Sequence, residues 1–170
     1  LMGTFKEIDP YYICWNIDEN KTGAGSCMTK EIGIIMAAGL GTRMHPLTLR
    51  TPKPLIRVNG KPLIETIIEG LGRRGVPEIY IVVGHLKEQF EYLNRKYRGI
   101  HLLENPDYST KNNIASIYAA RAVLGTTDCF ICEADLLVSD PSVFDKELNC
   151  SGYYEKMVKG YSADWVFEQQ

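Results

Sequence analysis

The residues most suited to chemistry lie in one stretch. An apolar run, Ile34-Ile35-Met36-Ala37-Ala38, breaks at Gly39-Leu40-Gly41-Thr42-Arg43-Met44-His45-Pro46-Leu47-Thr48, and Thr51-Pro52-Lys53-Pro54 follows shortly after. Two glycines among small residues leave room for a ligand to reach the backbone. Exposed amides in such a loop can hydrogen-bond phosphate oxygens, and one glycine can supply a positive φ at little cost. Arg43 offers a rigid fork for phosphate oxygens, whereas Lys53 offers a compact charge on a flexible stem. A polyphosphate satisfies all of these groups, so the stretch reads as a nucleoside triphosphate site. Its candidate binding residues are Ala37, Ala38, Gly39, Leu40, Gly41, Thr42, Arg43 and Lys53.

Two other phosphate motifs fail here. The dinucleotide fingerprint needs a third glycine, but Thr42, Arg43 and Met44 follow Gly41. The P-loop needs Gly-Lys-Ser/Thr at its close, and the chain has no such tripeptide. The plain alternative is a glycine-bearing turn with surface charges, which the added Arg43 and Pro-Lys-Pro segment disfavour. His45 has no evident partner and reads as an ordinary loop histidine.

Three further groups bear on such a site. Glu133-Ala134-Asp135 ends an apolar run, where a carboxylate is well placed for a divalent cation. Asn112 and Asn113 precede a helical pattern. One of them can cap that helix, or its carboxamide can give a pyrimidine edge both a donor and an acceptor. Tyr153, Tyr154, Tyr161 and Trp165 make the far end aromatic, and π faces bind quaternary ammonium groups. Trp165 is equally readable as a packed sheet residue.

The elements that must position these residues alternate. Residues 32–38 form a short continuous apolar run, as in a parallel strand covered on both faces. The loop over 39–54 is long enough to expect a function. Residues 55–58 read as extended, and Asn59-Gly60 is a tight-turn dipeptide. Pro62 suits the start of a helix whose stripe is Leu63, Ile64, Ile67, Ile68 and Leu71, with Gly72 and Gly75 at its end. Strands are expected at 78–83, 100–103 and 128–133, and helices at 86–97 and 114–124. A short helical excursion over 141–148 and strands at 149–159 and 163–168 complete the pattern. The alternation predicts an α/β fold with a mostly parallel sheet and ligands at the carboxyl ends of its strands. Residues 1–31 read as an extension or linker of unassigned role, with a short strand at 11–15 and a polar stretch at 19–26. Residues 32–170 form the core. Met28 is a candidate natural start.

A chain of 170 residues with net charge −2 fits one domain and offers no basic field for nucleic acid. No run approaches the ~18 apolar residues of a membrane span, and the N-terminus lacks a secretory pattern, so a cytoplasmic protein is the default expectation. Of five cysteines, Cys129 and Cys132 have metal or redox spacing. They fall in a buried strand on opposite faces, with no second ligand pair, and read as small core residues.

Ala37-Ala38-Gly39-x-Gly41-x-Arg43-x-x-Pro46-x-Thr48, together with Pro52-Lys53-Pro54-Leu55 and Val58-Asn59-Gly60-Lys61-Pro62-Leu63, resembles the signature of the nucleotidyltransferase superfamily. The paired asparagines and Ala163-Asp164-Trp165-Val166-Phe167 are similar to the bacterial lic-type choline-phosphate cytidylyltransferases. The resemblance covers about residues 32–168. It implies a three-layer Rossmann-like nucleotidyltransferase fold that lacks its C-terminal part. It implies transfer of CMP from CTP to phosphocholine, giving CDP-choline and pyrophosphate. It assigns Mg²⁺ to Asp135, with Glu133 beside it, makes Arg43, Lys53 and Asp135 catalytic, puts cytosine against Asn112 and Asn113, and puts the choline group against Trp165. If the protein ends at Gln170, weak nucleotide binding, little turnover and an exposed sheet edge are expected. Two rival readings stay open: a hexose-1-phosphate or 2-aminoethylphosphonate nucleotidyltransferase, and a nucleotide-binding module without turnover.

Overall fold

The computed structural model describes residues 13–15, 31–111, 113–124 and 127–145. The strands are β1 (Ile13–Trp15), β2 (Ile32–Ala37), β3 (Arg57–Val58), β4 (Lys61–Pro62), β5 (Glu78–Val83), β6 (Ile100–Glu104) and β7 (Cys129–Glu133). The α-helices are α1 (Leu63–Arg74), α2 (Glu91–Lys96) and α3 (Asn113–Ala119). The main sheet runs in the order β1-β7-β2-β5-β6. Its last four strands are parallel, and β1 is antiparallel to β7. β3 and β4 form a separate hairpin turned by Asn59 and Gly60, both at positive φ.

Period-two patterning builds the layers. On one face of the sheet, Ile35, Ile81, Val83, Phe130 and Cys132 pack with Ile64, Ile67 and Leu71 of α1 and Leu93 of α2. On the other, Ile34, Val82, Cys129 and Ile131 pack with Ala119 and Ala120 at the end of α3. The two cysteines therefore point to opposite faces, and both are buried. Strands covered on both sides can be apolar throughout, which is why β2, β5 and β7 read as continuous runs.

The chain moves from β2 to β5 to β6 in one direction and then returns to place β7 on the other side of β2. The order reverses between β2 and β7. Their carboxyl ends flank the crevice where open parallel sheets hold ligands.

Several elements differ from the sequence reading. The helix expected at 114–124 ends at Ala119, and residues 120–124 continue as tight turns. The amide of Arg121 bonds back three residues, to Tyr118 O, which shortens the repeat. That tightening turns Val123 and Leu124 onto the sheet. The helix expected at 86–97 opens as a 3₁₀ turn, Lys87–Phe90, before α2 begins. Leu55 belongs to another 3₁₀ turn, Lys53–Leu55, so only Arg57–Val58 is extended there. The excursion expected over 141–148 is a 3₁₀ turn at Pro141–Asp145. The short strand expected at 11–15 is β1, which joins the core sheet from within residues 1–31. The polar stretch at 19–26, Met28, Asn112, Trp165 and the strands expected at 149–159 and 163–168 lie outside the described residues.

One buried charge ties two helices together. Glu65 of α1 is 3% exposed. It accepts hydrogen bonds from Tyr92 Oη at 2.9 Å and Lys96 Nζ at 2.6 Å, both on α2. Burial alone raises the Glu65 carboxyl, but the bonds from Lys96 and Tyr92 outweigh it and hold the group below its ordinary value of 4.5. Glu65→Ala is expected to destabilise the fold by about 2–3 kcal/mol near neutral pH, the scale of hydrogen bonds to a charged group. Because the folded value is depressed, this contribution is complete above 4.5 and is lost as pH falls through the folded value. Urea melts of both proteins across that acid range check it: the gap between them should narrow as the pH drops.

Candidate active site

The site grows from the carboxyl end of β2. After Ala37 the chain leaves the sheet, and Gly41 adopts a left-handed conformation with φ of 63°. That turn sends residues 42–44 into a 3₁₀ turn whose last amide, on Met44, bonds back to Gly41 O at 2.9 Å. Thr48, fully buried, donates its hydroxyl to the same Gly41 carbonyl at 2.7 Å. A third 3₁₀ turn, begun by Lys53 after Pro52, brings the chain back to the mouth of the sheet.

A cleft of about 320 Å³ opens there. Ala37, Ala38, Gly39, Gly41, Thr42, Arg43, Lys53 and Asp135 all line it. A cation from the loop, a cation from the Pro-Lys-Pro segment and the acid at the end of β7 thus share one space. Leu40 and His45 are not among the lining residues. Asn113 opens α3, and Ser116, one turn further on, reaches the cleft. Asn112 and Trp165 lie outside the described residues.

The charges are arranged in a compact set. Lys53 Nζ bonds to Asp135 Oδ2, and each side chain is about one-third exposed. Glu133 also faces the cleft. Burial first, and then the neighbouring Asp135, push its carboxyl up to about 7, against the pull of Lys53. Asp135 and Glu133 are the residues here that could hold a metal. Two carboxylate oxygens suit Mg²⁺, which takes few protein ligands and keeps water or substrate phosphate in its other positions. Among the described residues no group of three or more His, Cys, Asp or Glu side chains forms a cage. The Lys53 ammonium already lies against Asp135 as a stand-in positive charge, so the donor set fits the ion.

Sequence reasoning left several residues of this neighbourhood without a role. Ser116 faces the cleft and accepts a hydrogen bond from Asn105 Nδ2 at 3.2 Å. Met36 and Met44 supply apolar wall. Thr48 sits in the quoted signature, and that place is the one sequence signal that points to it. His85 carries no local signal at all.

The profile of the MobA-like NTP transferase domain matches residues 33–160. A 2-aminoethylphosphonate cytidylyltransferase of Lancefieldella rimae is 54% identical over 144 residues, covering 85% of this chain and 58% of that protein. A choline-phosphate cytidylyltransferase of Streptococcus pneumoniae is 42% identical over 132 residues, covering 78% of this chain and 56% of that protein. The chain therefore spans little more than half the length of these relatives. Among solved structures, a CTP:phosphocholine cytidylyltransferase from Streptococcus pneumoniae superposes with a TM-score of 0.62 and 46% identity, over 66% of this chain and 48% of that one. A UDP-glucose pyrophosphorylase shares the fold, with a TM-score of 0.57 at 24% identity over 69% of this chain and 51% of that one.

The left-handed turn makes one position testable. A Cβ on Gly41 would stand 2.9 Å from Thr48 Cγ2, in a backbone region that L side chains disfavour. Gly41→Ala is expected to destabilise the protein by about 1–3 kcal/mol through strain and crowding. Chemical denaturation measures the loss. An unchanged midpoint would show that the loop accepts a side chain there.

Proposed function

The chain belongs to the MobA-like NTP transferase family, within the nucleotidyltransferases, and from that membership we propose that it transfers CMP from CTP to a small amine-bearing phosphonate or phosphate. The observation that carries this reading is the convergence of Arg43, Lys53 and Asp135 on the cleft beside the glycine loop. The greater identity to the 2-aminoethylphosphonate enzyme, 54% against 42% for the choline-phosphate enzyme, supports 2-aminoethylphosphonate as acceptor ahead of phosphocholine.

In this reaction an acceptor oxygen attacks the α-phosphorus of CTP. The bond from that phosphorus to the bridging oxygen breaks, and pyrophosphate leaves with the electron pair. A phosphate acceptor is already largely anionic, since its second pKa is near 6, so no strong general base is needed. The difficulty is bringing two anions together, and the protein answers it with positive charge and alignment. Amides of residues 39–42 donate to phosphate oxygens. Arg43, exposed at the rim, neutralises the departing pyrophosphate. Lys53 exchanges its bond with Asp135 for one with the α-phosphate, where negative charge builds up. Asp135, with Glu133 beside it, would hold Mg²⁺, which when bound supplies further positive charge to phosphate oxygens. Asn112 and Asn113 would read the pyrimidine through their carboxamides, each of which offers a donor and an acceptor. Trp165 would receive the quaternary ammonium if the acceptor is phosphocholine.

Incubating the full-length protein with labelled CTP, Mg²⁺ and a panel of acceptors tests the assignment. Product with 2-aminoethylphosphonate supports it, product with phosphocholine alone moves the acceptor, and product only with a hexose phosphate overturns it. Lys53→Ala and Asp135→Ala are each expected to lower the rate by about 10²–10³, the scale of deleting one preorganised electrostatic donor, while the circular dichroism melt stays cooperative. Turnover near wild type in either variant removes that residue from its role.

A further inference from the structure

Two residues that do not line the cleft grip the loop that does. His85 follows the end of β5. Its backbone amide donates to Ala38 O at 3.2 Å, and its ring Nε2 lies 2.9 Å from Thr48 O. A carbonyl only accepts, so that nitrogen carries the proton. Thr48 then donates its hydroxyl to Gly41 O at 2.7 Å, and its methyl fills the space a Gly41 Cβ would need. One histidine thereby fixes both limbs of the loop, at Ala38 and Thr48, and the threonine carries that grip to the left-handed glycine. Gly84 makes the approach possible, since a Cβ there would stand 2.9 Å from Ala38 O and 2.6 Å from Tyr108 Cβ.

We propose that Thr48 and His85 are positioning residues that set the loop amides in place before a triphosphate arrives. The proposal rests on the nucleotide-binding reading of the same cleft. Donors fixed in advance cost no ordering when the ligand binds, whereas a loose loop must be ordered at that moment. The brace therefore acts on the phosphates and leaves recognition of the nucleoside alone.

The test compares CTP with cytidine, which lacks phosphate, on wild type and on Thr48→Val, Thr48→Ser, His85→Leu and His85→Gln. Thr48→Val and His85→Leu are each expected to weaken CTP binding by about tenfold, the upper scale of one lost hydrogen bond, and to leave cytidine binding within about twofold. Thr48→Ser and His85→Gln retain the donor and are expected to stay within about twofold of wild type for both ligands. A general loss of structure would weaken both ligands alike and would not be rescued by serine or glutamine. The proposal is overturned if Thr48→Val and His85→Leu bind CTP as wild type does, if both ligands weaken together, or if the conservative variants fail to rescue. If wild type itself binds no CTP, the functional reading fails instead. Amide exchange at Gly41 and Thr42 then decides the brace: faster exchange in Thr48→Val supports it, and an unchanged rate overturns it.

Discussion

The register between β2 and β7 is the constraint from which the cleft follows. The two strands are parallel, with Met36 opposite Glu133 and Ile35 opposite Cys132. The amide of Ala134 continues the ladder to Met36 O at 3.2 Å. Side chains alternate across a strand, so a slip of one residue would turn Ile131 and Cys132 to the wrong faces and swing Glu133 and Asp135 with them. The apolar residues of β7 thus fix where its acids point. Cys132 packs against the α1 face and Ile131 against the α3 face. With both faces buried there is no free energy to be gained by slippage, and the carboxylates emerge beside the loop that leaves β2.

Charge balance inside the cleft follows from that placement. Without a ligand, Asp135 would face Glu133 across a partly dry space. Lys53 relieves this by bonding to Asp135, and Glu133 responds by holding its proton to a pH near 7. Within the cleft these charges satisfy one another. In the proposed reaction a polyphosphate would compete for Lys53, and a divalent cation would take its place on the acids. A pair about one-third exposed contributes little to folding, so its exchange costs the fold little.

Much of this was legible in the sequence because the relevant signals are local. The loop glycines, Arg43 and Lys53 lie within fifteen residues, and Asp135 is marked by the end of an apolar run. The α1 stripe at helical spacing placed Leu63, Ile64, Ile67, Ile68 and Leu71 in the core, where all five are buried. The brace was not legible. His85 lies 37 residues from Thr48, and nothing near it signals that the loop will fold across it. The early end of α3 was equally hidden, because Ala119, Ala120 and Ala122 are good helix formers and the tightened turn that docks Val123 and Leu124 on the sheet has no local signal. The raised Glu133 carboxyl also depends on burial, which a strand-end acid does not announce.

The charges of the cleft also constrain how an amine-bearing acceptor would enter the proposed reaction. There Arg43 and Lys53 would attract its phosphorus end and repel its cationic end, so the acceptor would lie with the amine directed away from them. The two candidate amines then ask for different surroundings. A primary ammonium has three N–H donors and wants oxygen acceptors, whereas a quaternary ammonium has none and gains only from π faces and apolar contact. The glycine loop and its cations treat the phosphonate and phosphate ends of both in the same way. Selection between them would therefore fall to groups on the far side of the cleft from Lys53, and a change of acceptor would leave the loop, the brace and the acids of β7 unaltered. In the proposed reaction donor and acceptor recognition would be separable for that physical reason.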